Sequence, residues 1–437
     1  MPVGLGICHR VVEPVGPDAL RGRVLPSIRS IAIIDPLGDY GIGGYTYELA
    51  EGLAANGVQV DVYTHGLSLM KDLQLARRHR LLPVLGSALF RQKEILESPM
   101  ASRTAAPPSP ASETAPGRSE RFLRLRKFLV PLELALYLKR TGYDLVWTQW
   151  PARDYGVRFW ALCKWLGLPL VHTVHNVLPH EEVAGDREFC GAIYKRCDWL
   201  VVHSDCARRE LSDLFPGCAR KVIVARHGLY TMYPRAAAGE RAGVRRDLDI
   251  SCDQTALLFF GGVRPYKNID GVLGALRDPR CAQTVLVVSG KESGYPDLVP
   301  QDALGRTRKL AQQLGVADRV RLIPRHLNVA ETAGLFAAAD CLVLPYRKSY
   351  GSGLLLLGMT FGKHVIATRT GGIEEYLQHY PCHTLLEGPE AGQIAEGIAH
   401  FLGAAATRTS GPPVDTKDLE WPNVALGILG QLNLRDA

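Results

Sequence analysis

Two stretches in the second half of the chain set fixed positive charge beside flexible backbone. In Phe259-Phe-Gly261-Gly262-Val-Arg264-Pro-Tyr-Lys267, an apolar run gives way to two glycines and an Arg-x-x-Lys pair. A helical pattern over 269–276 follows. Glycine lets backbone approach a ligand. A guanidinium and an ammonium beside a helix N-terminus suit a diphosphate. Tyr346-Arg-Lys-Ser-Tyr-Gly351-Ser352-Gly353 follows another apolar run and leads directly into an apolar helix over 354–361. The amides of Gly351, Ser352 and Gly353 would point along that helix dipole at an anion. Ser289-Gly290-Lys291-Glu292 ends a third apolar run. All three loops are expected on one edge of one sheet. A lone glycine turn is ordinarily just a turn, and a loop cation is ordinarily solvated. Repetition at two strand-to-helix junctions of one domain points instead to a nucleotide or sugar nucleotide.

The first half carries ionisable groups of another kind. His175 closes the apolar run Leu170-Val-His-Thr-Val174, His180 and Glu181 follow in a loop, and His227 precedes Gly228. A strand-end histidine often only packs or makes a local hydrogen bond, and His227 reads equally well as a packing residue at a hinge. An ionisable pair in a loop more often serves chemistry than one in a core. The sole Asp-x-Asp, Asp247-Leu-Asp249, lies in a polar stretch and reads as a solvated surface pair.

The elements that must hold these residues follow an α/β rhythm. Ile31-Ala-Ile-Ile34, the glycine-rich 38–44, a helical pattern over 45–56, Gly57 and Val58-Gln-Val-Asp-Val62 make strand, turn, helix and strand. Strands are expected at 144–148, 170–174, 199–202 and 221–224, then at 256–260, 284–288, 320–323, 341–344 and 364–367, with helices at 335–339 and 354–361. Two Rossmann-like halves facing a cleft result, with ligands at the carboxyl ends of the strands. The expected division is an irregular extension over 1–28, a first domain over 29–233 and a polar linker over 234–253. A second domain over 254–415 and a terminal segment over 416–437 complete it. Residues 101–119 are low-complexity Ala/Pro/Ser/Thr and are expected as a flexible loop.

Composition sets the outer limits. The 437 residues are 46% hydrophobic and 22% charged, which excludes a disordered, collagen-like or coiled-coil chain. The net charge of +7 is mild, and no nucleic-acid partner is expected. Ten cysteines form no Cys-x-x-Cys pair and no zinc-like cluster, so a reduced, cytoplasmic setting is expected. The first 28 residues lack the apolar core of a secretory signal.

Taken in order, several motifs resemble those of the retaining glycosyltransferases of family 4, which have the GT-B fold. They are Gly41-Ile-Gly43-Gly44, His175-Asn-Val-Leu-Pro-His180-Glu181, Arg226-His227-Gly228, Gly262-Val-Arg264-Pro-Tyr-Lys267, Leu344-Pro-Tyr-Arg347, Ser352-Gly353, Gly362-Lys-His-Val-Ile-Ala-Thr368 and Gly371-Gly-Ile-Glu374-Glu375. The resemblance covers roughly residues 31–430. It implies an enzyme that moves a sugar from a nucleotide-diphospho-sugar, a UDP- or GDP-sugar, to a glycan or lipid-linked acceptor. Neither cofactor nor metal is implied. Gly262, Arg264, Lys267, Ser352 and Gly353 would hold the diphosphate. His175 would face the donor sugar, and Glu181 would position the acceptor or act as base. Gly43, Gly44, His180, His227 and Gly290 would line the cleft. Trp421 and the helix after it look like the terminal helix that returns to the first domain in this fold. Many family members carry two glutamates around the second phosphate loop. The matching positions here are Ser349 and Leu357, with Glu374 and Glu375 as candidate substitutes.

Residues 121–140 hold six Lys or Arg against one Glu, interleaved with Phe and Leu. They read either as an interfacial helix on an anionic membrane, interrupted at Pro131, or as an ordinary surface helix on the first sheet. The first reading suits a lipid-linked acceptor at the inner face of the membrane, and a soluble acceptor is equally open. The missing glutamates also leave room for a non-catalytic, sugar-nucleotide-binding subunit.

Overall fold

The structure, a computed structural model, describes residues 28–36, 40–64, 79–81, 118–151, 157–237, 239–290, 302–378, 380–405 and 416–436. The expectations for 1–27, Gly38, 101–117, Lys291 and Glu292 lie outside the described residues.

Seven strands form the first sheet: β1 (Ser30–Asp35), β2 (Gln59–Thr64), β3 (His79–Leu81), β4 (Leu145–Thr148), β5 (Leu170–Thr173), β6 (Trp199–Val202) and β7 (Val222–Val224). Six form the second: β8 (Thr255–Phe260), β9 (Thr284–Ser289), β10 (Val320–Ile323), β11 (Cys341–Leu344), β12 (His364–Thr368) and β13 (His383–Leu386). The orders are β3-β2-β1-β4-β5-β6-β7 and β10-β9-β8-β11-β12-β13. Every pairing is parallel. The architecture is thus α/β with two Rossmann-like sheets. Helices cover both faces, so central strands such as β4, β5 and β11 are buried throughout and read as apolar runs. In both sheets the order reverses beside the first strand, between β1 and β4 and between β8 and β11. A crevice opens outside the strand ends at such a reversal.

Four local differences from the sequence reading have physical causes. Gly41–Gly44 is not a turn but lies within the helix Tyr40–Ala55. Gly44 packs there against Met232 and Tyr230, where a Cβ would lie 3.0 Å from the Met232 methyl. The polar 234–253 stretch contains the helix Glu240–Asp247. Its Arg245 is buried, bonding Asp340 at 3.1 Å and the carbonyls of Ala338, Ser251 and Gln254. A basic segment therefore docks rather than dangles. Pro131 lies inside the helix Arg118–Thr141 instead of breaking it. A proline inside a helix removes one hydrogen bond and costs about 3 kcal/mol; here Leu134, Ala135 and Leu138 are buried in the first core and offset it. β3 and β13 were not anticipated, because three or four residues with a histidine carry too little pattern.

The helix Trp421–Asp436 lies on the helix Tyr40–Ala55. Trp421, Ala425, Ile428 and Leu432 are buried with Leu49, Leu53 and the strand residues Ile31 and Ile33. Gly52 permits the contact, since a Cβ there would lie 2.5 Å from the Trp421 carbonyl oxygen. Among the described residues no helix is long and apolar enough to cross a membrane, and no group of three His, Cys, Asp or Glu is arranged to hold a metal ion.

Candidate active site

At the crevice of the second sheet, the three glycine loops meet. β8 ends at Phe260, and Gly261 takes φ +84°, a left-handed conformation that favours glycine. Its amide donates to the Ser289 carbonyl at 2.7 Å. A Cβ at Gly290 would lie 2.3 Å from the Gly261 carbonyl oxygen, and a Cβ at Gly261 would lie 2.8 Å from Lys267 Nζ and 3.2 Å from Leu354. The glycines therefore let the ends of β8 and β9 and the start of the helix Gly353–Thr360 touch. Arg264 is extended, and the 3₁₀ turn Pro265–Lys267 brings Lys267 back beneath the loop. Lys267 is buried, with Nζ 3.5 Å from the Phe260 carbonyl. Burial, with repulsion from Arg264 second, pulls its ammonium down to about 7. An arriving anion would oppose both effects by favouring the charged ammonium.

Ser352 caps the helix Gly353–Thr360: its Oγ accepts from the Leu355 amide at 3.2 Å. Gly353 is needed because a Cβ there would lie 2.7 Å from the Tyr230 hydroxyl. Ser349 is buried and its Oγ donates to the Gly351 carbonyl, while Leu357 lies in the apolar core. Neither position offers a carboxylate.

At the first sheet the strand ends carry imidazoles. His175 follows β5, His203 follows β6 and His227 lies just beyond β7. Tyr45 sits among them, with ring centroids 4.8, 5.0 and 5.1 Å away. His175 Nε2 is 3.2 Å from Gln149 Oε1, and His203 Nδ1 is 3.1 Å from the Ala225 carbonyl. Burial drives all three imidazoles towards the neutral form: His175 well below its ordinary value, His203 to about 4 and His227 to about 3. Such rings exchange hydrogen bonds without carrying charge. His203 and Gln149 escaped the sequence reading, although Trp199-Leu-Val-Val202-His203 repeats the strand-then-histidine pattern of His175.

The halves meet through consecutive residues of one loop. The His180 ring stacks on Tyr266 at 4.0 Å with 12° between planes. Glu181 accepts from Arg264 Nε at 3.0 Å and from Nη2 with its other oxygen. Glu182 Oε1 lies 3.4 Å from Lys348 Nζ. Burial lowers His180 to about 4. Glu181, expected to face the acceptor, is thus paired with a residue expected to hold the diphosphate.

Glu374 and Glu375, considered as substitutes for the missing glutamates, have other partners. Glu375 accepts from the amides of Asp205 and Cys206, both at 2.8 Å, and so caps the helix Asp205–Leu214 across the interface. Glu374 pairs with Arg369 at the surface. Beside them, the Tyr376 hydroxyl accepts from the His227 amide and donates to the His203 carbonyl, each at 2.8 Å. Glu375 and Tyr376 thus tie the two halves together beside the cleft. The pair Asp247 and Asp249 lies away from the cleft, with Asp249 bonded to Arg321.

The family model for Glycosyltransferase Family 4 matches residues 40–231, and that for Glycosyl transferases group 1 matches residues 241–409. The chain is 26% identical to a D-inositol 3-phosphate glycosyltransferase of Acidothermus cellulolyticus over 415 residues, 89% of this chain and 84% of that one. It is 27% identical to the enzyme of that name from Mycobacterium bovis over 443 residues, 92% of this chain and 83% of the other. Among solved structures, sucrose-phosphate synthase from Thermosynechococcus elongatus superimposes with a TM-score of 0.64 at 19% identity, covering 93% of this chain and 98% of the other. Anabaena HepE in complex with UDP-glucose gives 0.63 at 16% identity, with the same coverages.

Proposed function

The chain is a GT-B glycosyltransferase belonging to family 4, and from that premise we propose that it transfers a sugar from a UDP- or GDP-sugar with retention of anomeric configuration and without a metal. The acceptor is a lipid-linked saccharide or other glycan precursor. One observation carries the reading: Arg264, Lys267 and the Ser352–Gly353 helix start converge at the β8/β11 crevice, where Gly261 and Gly290 leave room for backbone approach. HepE, a neighbour of the same fold, is solved with UDP-glucose, which supports the donor class.

The chemistry follows from where charge develops. The bond from the anomeric carbon to the diphosphate oxygen breaks as the acceptor oxygen bonds to that carbon. Negative charge grows on the departing nucleoside diphosphate. Arg264 and the Ser352–Gly353 amides stabilise it more strongly in the transition state than before it. Lys267, held near 7 by burial, becomes a full cation once a diphosphate lies beside it. In a retaining transfer, donor and acceptor approach on one face. The leaving phosphate oxygen can then take the acceptor's proton, so no protein base is required. His175 serves this step as a neutral hydrogen-bonding partner for the donor sugar, held by Gln149 and Tyr45.

The basic helix Arg118–Thr141 favours an anionic membrane surface as the meeting place for a lipid-linked acceptor. Within it, Leu129, Leu136 and Tyr137 are exposed. A second acceptor class, a small phosphorylated polyol, is favoured by the likeness to the D-inositol 3-phosphate glycosyltransferases of Acidothermus and Mycobacterium. Mass spectrometry of products from UDP-, GDP- and ADP-sugars with each acceptor class tests the proposal. Turnover of one donor with an α-linked product from an α-linked sugar is expected. Binding without turnover across the acceptors would favour a non-catalytic subunit.

A further inference from the structure

The most informative contact outside the proposed chemistry is the Glu181–Arg264 pair. Glu181 takes the Nε and Nη2 edge of the guanidinium, the two-pronged face that Arg offers to carboxylates and phosphates alike. Its neighbours in sequence hold the other side of the same site. His180 stacks on Tyr266, one residue before Lys267, and Glu182 reaches Lys348 in the second phosphate loop. Three consecutive residues of one half thus close over both phosphate loops of the other.

Resting on the donor-site reading above, we propose that Glu181 and the donor's diphosphate compete for Arg264, so that the donor opens the 180–182 clasp as it binds. The charges require it. A diphosphate laid beside Arg264 and Lys267 meets the Glu181 carboxylate at contact range, where like charges repel strongly in a half-buried site. The clasp can yield because the segment 174–184 contains no helix or strand. Glu182 and Lys348 are about half exposed, at 48% and 46%, and such surface pairs are weakly held. Glu181 released from Arg264 becomes available to an acceptor hydroxyl, which places donor binding before acceptor binding. Linkage is reciprocal: whatever strengthens the clasp weakens the donor's hold, and the reverse.

Titration calorimetry with UDP, GDP and ADP tests the competition on wild type, Glu181→Gln, Glu181→Ala, Arg264→Ala and the Glu181→Gln/Arg264→Ala double variant, with thermal unfolding to confirm that each is folded. The best-bound nucleotide should bind Glu181→Gln and Glu181→Ala about tenfold more tightly than wild type, within the range of coupled sites. Arg264→Ala should bind more weakly, and the double variant should match it within about twofold, because the two groups compete through that one guanidinium. Unchanged or weaker binding in both Glu181 variants, with Arg264→Ala still impaired, overturns the competition and leaves the diphosphate site standing. Unchanged binding in Arg264→Ala, or no binding of any of the three nucleotides to any protein, overturns the donor-site reading on which the competition rests.

Discussion

The two crevices share one strand order and carry opposite chemistry. Beyond β5, β6 and β7 of the first sheet stand His175, His203 and His227 around Tyr45, and burial holds them neutral. Beyond β8 and β11 of the second stand Arg264, Lys267 and a capped helix start, which together want an anion. Topology supplies the crevice. The residues at the strand ends decide what it accepts. Burial lowers both an imidazole and an ammonium, with different outcomes. The imidazoles lose a charge they do not need, while Lys267 is left near 7, poised to regain its charge from a ligand.

Breaking the charged side should have the largest effect. Lys267→Ala is expected to lower kcat/KM about 10²- to 10³-fold, comparable to losing one preorganised oxyanion donor, as read by steady-state kinetics with the preferred donor. Its pH dependence sharpens the point. Bound diphosphate raises the ammonium above the value near 7 that it has in the free protein. Nucleotide affinity should therefore be level just below pH 7. Above it, affinity should fall by at most about tenfold per pH unit as the free protein loses the proton that the complex keeps. In Lys267→Ala this fall should vanish; a wild-type affinity flat between pH 7 and 9 would contradict the assignment.

On the neutral side, His175→Ala should lower kcat by roughly ten- to a hundredfold, or about 1.4–2.8 kcal/mol, and leave nucleotide binding within about twofold. A loss confined to nucleotide affinity would move His175 out of the reacting region. The smallest effect belongs to the interface posts. Glu375→Ala removes a carboxylate from the Asp205 and Cys206 amides and should cost about 1 kcal/mol, a helix-cap value. The melting temperature should fall by a few degrees with UDP affinity unchanged. Weakened UDP binding at full stability would return Glu375 to the donor.

Legibility followed the range of the interaction. The strands were visible because a two-sided parallel sheet demands continuous apolar runs, and Leu170-Val-His-Thr-Val174 or Cys341-Leu-Val-Leu344 satisfies that locally. The phosphate loops were visible because glycines and cations cluster within nine residues of a strand end. The helix Glu240–Asp247 was hidden in a polar segment, since its hold on the core comes from Arg245 reaching Asp340. His203 carries the same strand-then-histidine pattern as His175, whereas Gln149 has nothing local to mark it.

By itself the sequence determined the two α/β halves, the order of their motifs and the cationic loops of the second, because apolar periodicity and glycine spacing act over a few residues. Only the tertiary structure decided the partners. Glu181 lies 83 positions from Arg264, and Glu375 lies 170 from Asp205. Whether such groups meet depends on how the loops at the strand ends of the two halves come together, which no local pattern records. The same packing, through burial, set the charge states of His175 and Lys267 that the proposed transfer uses.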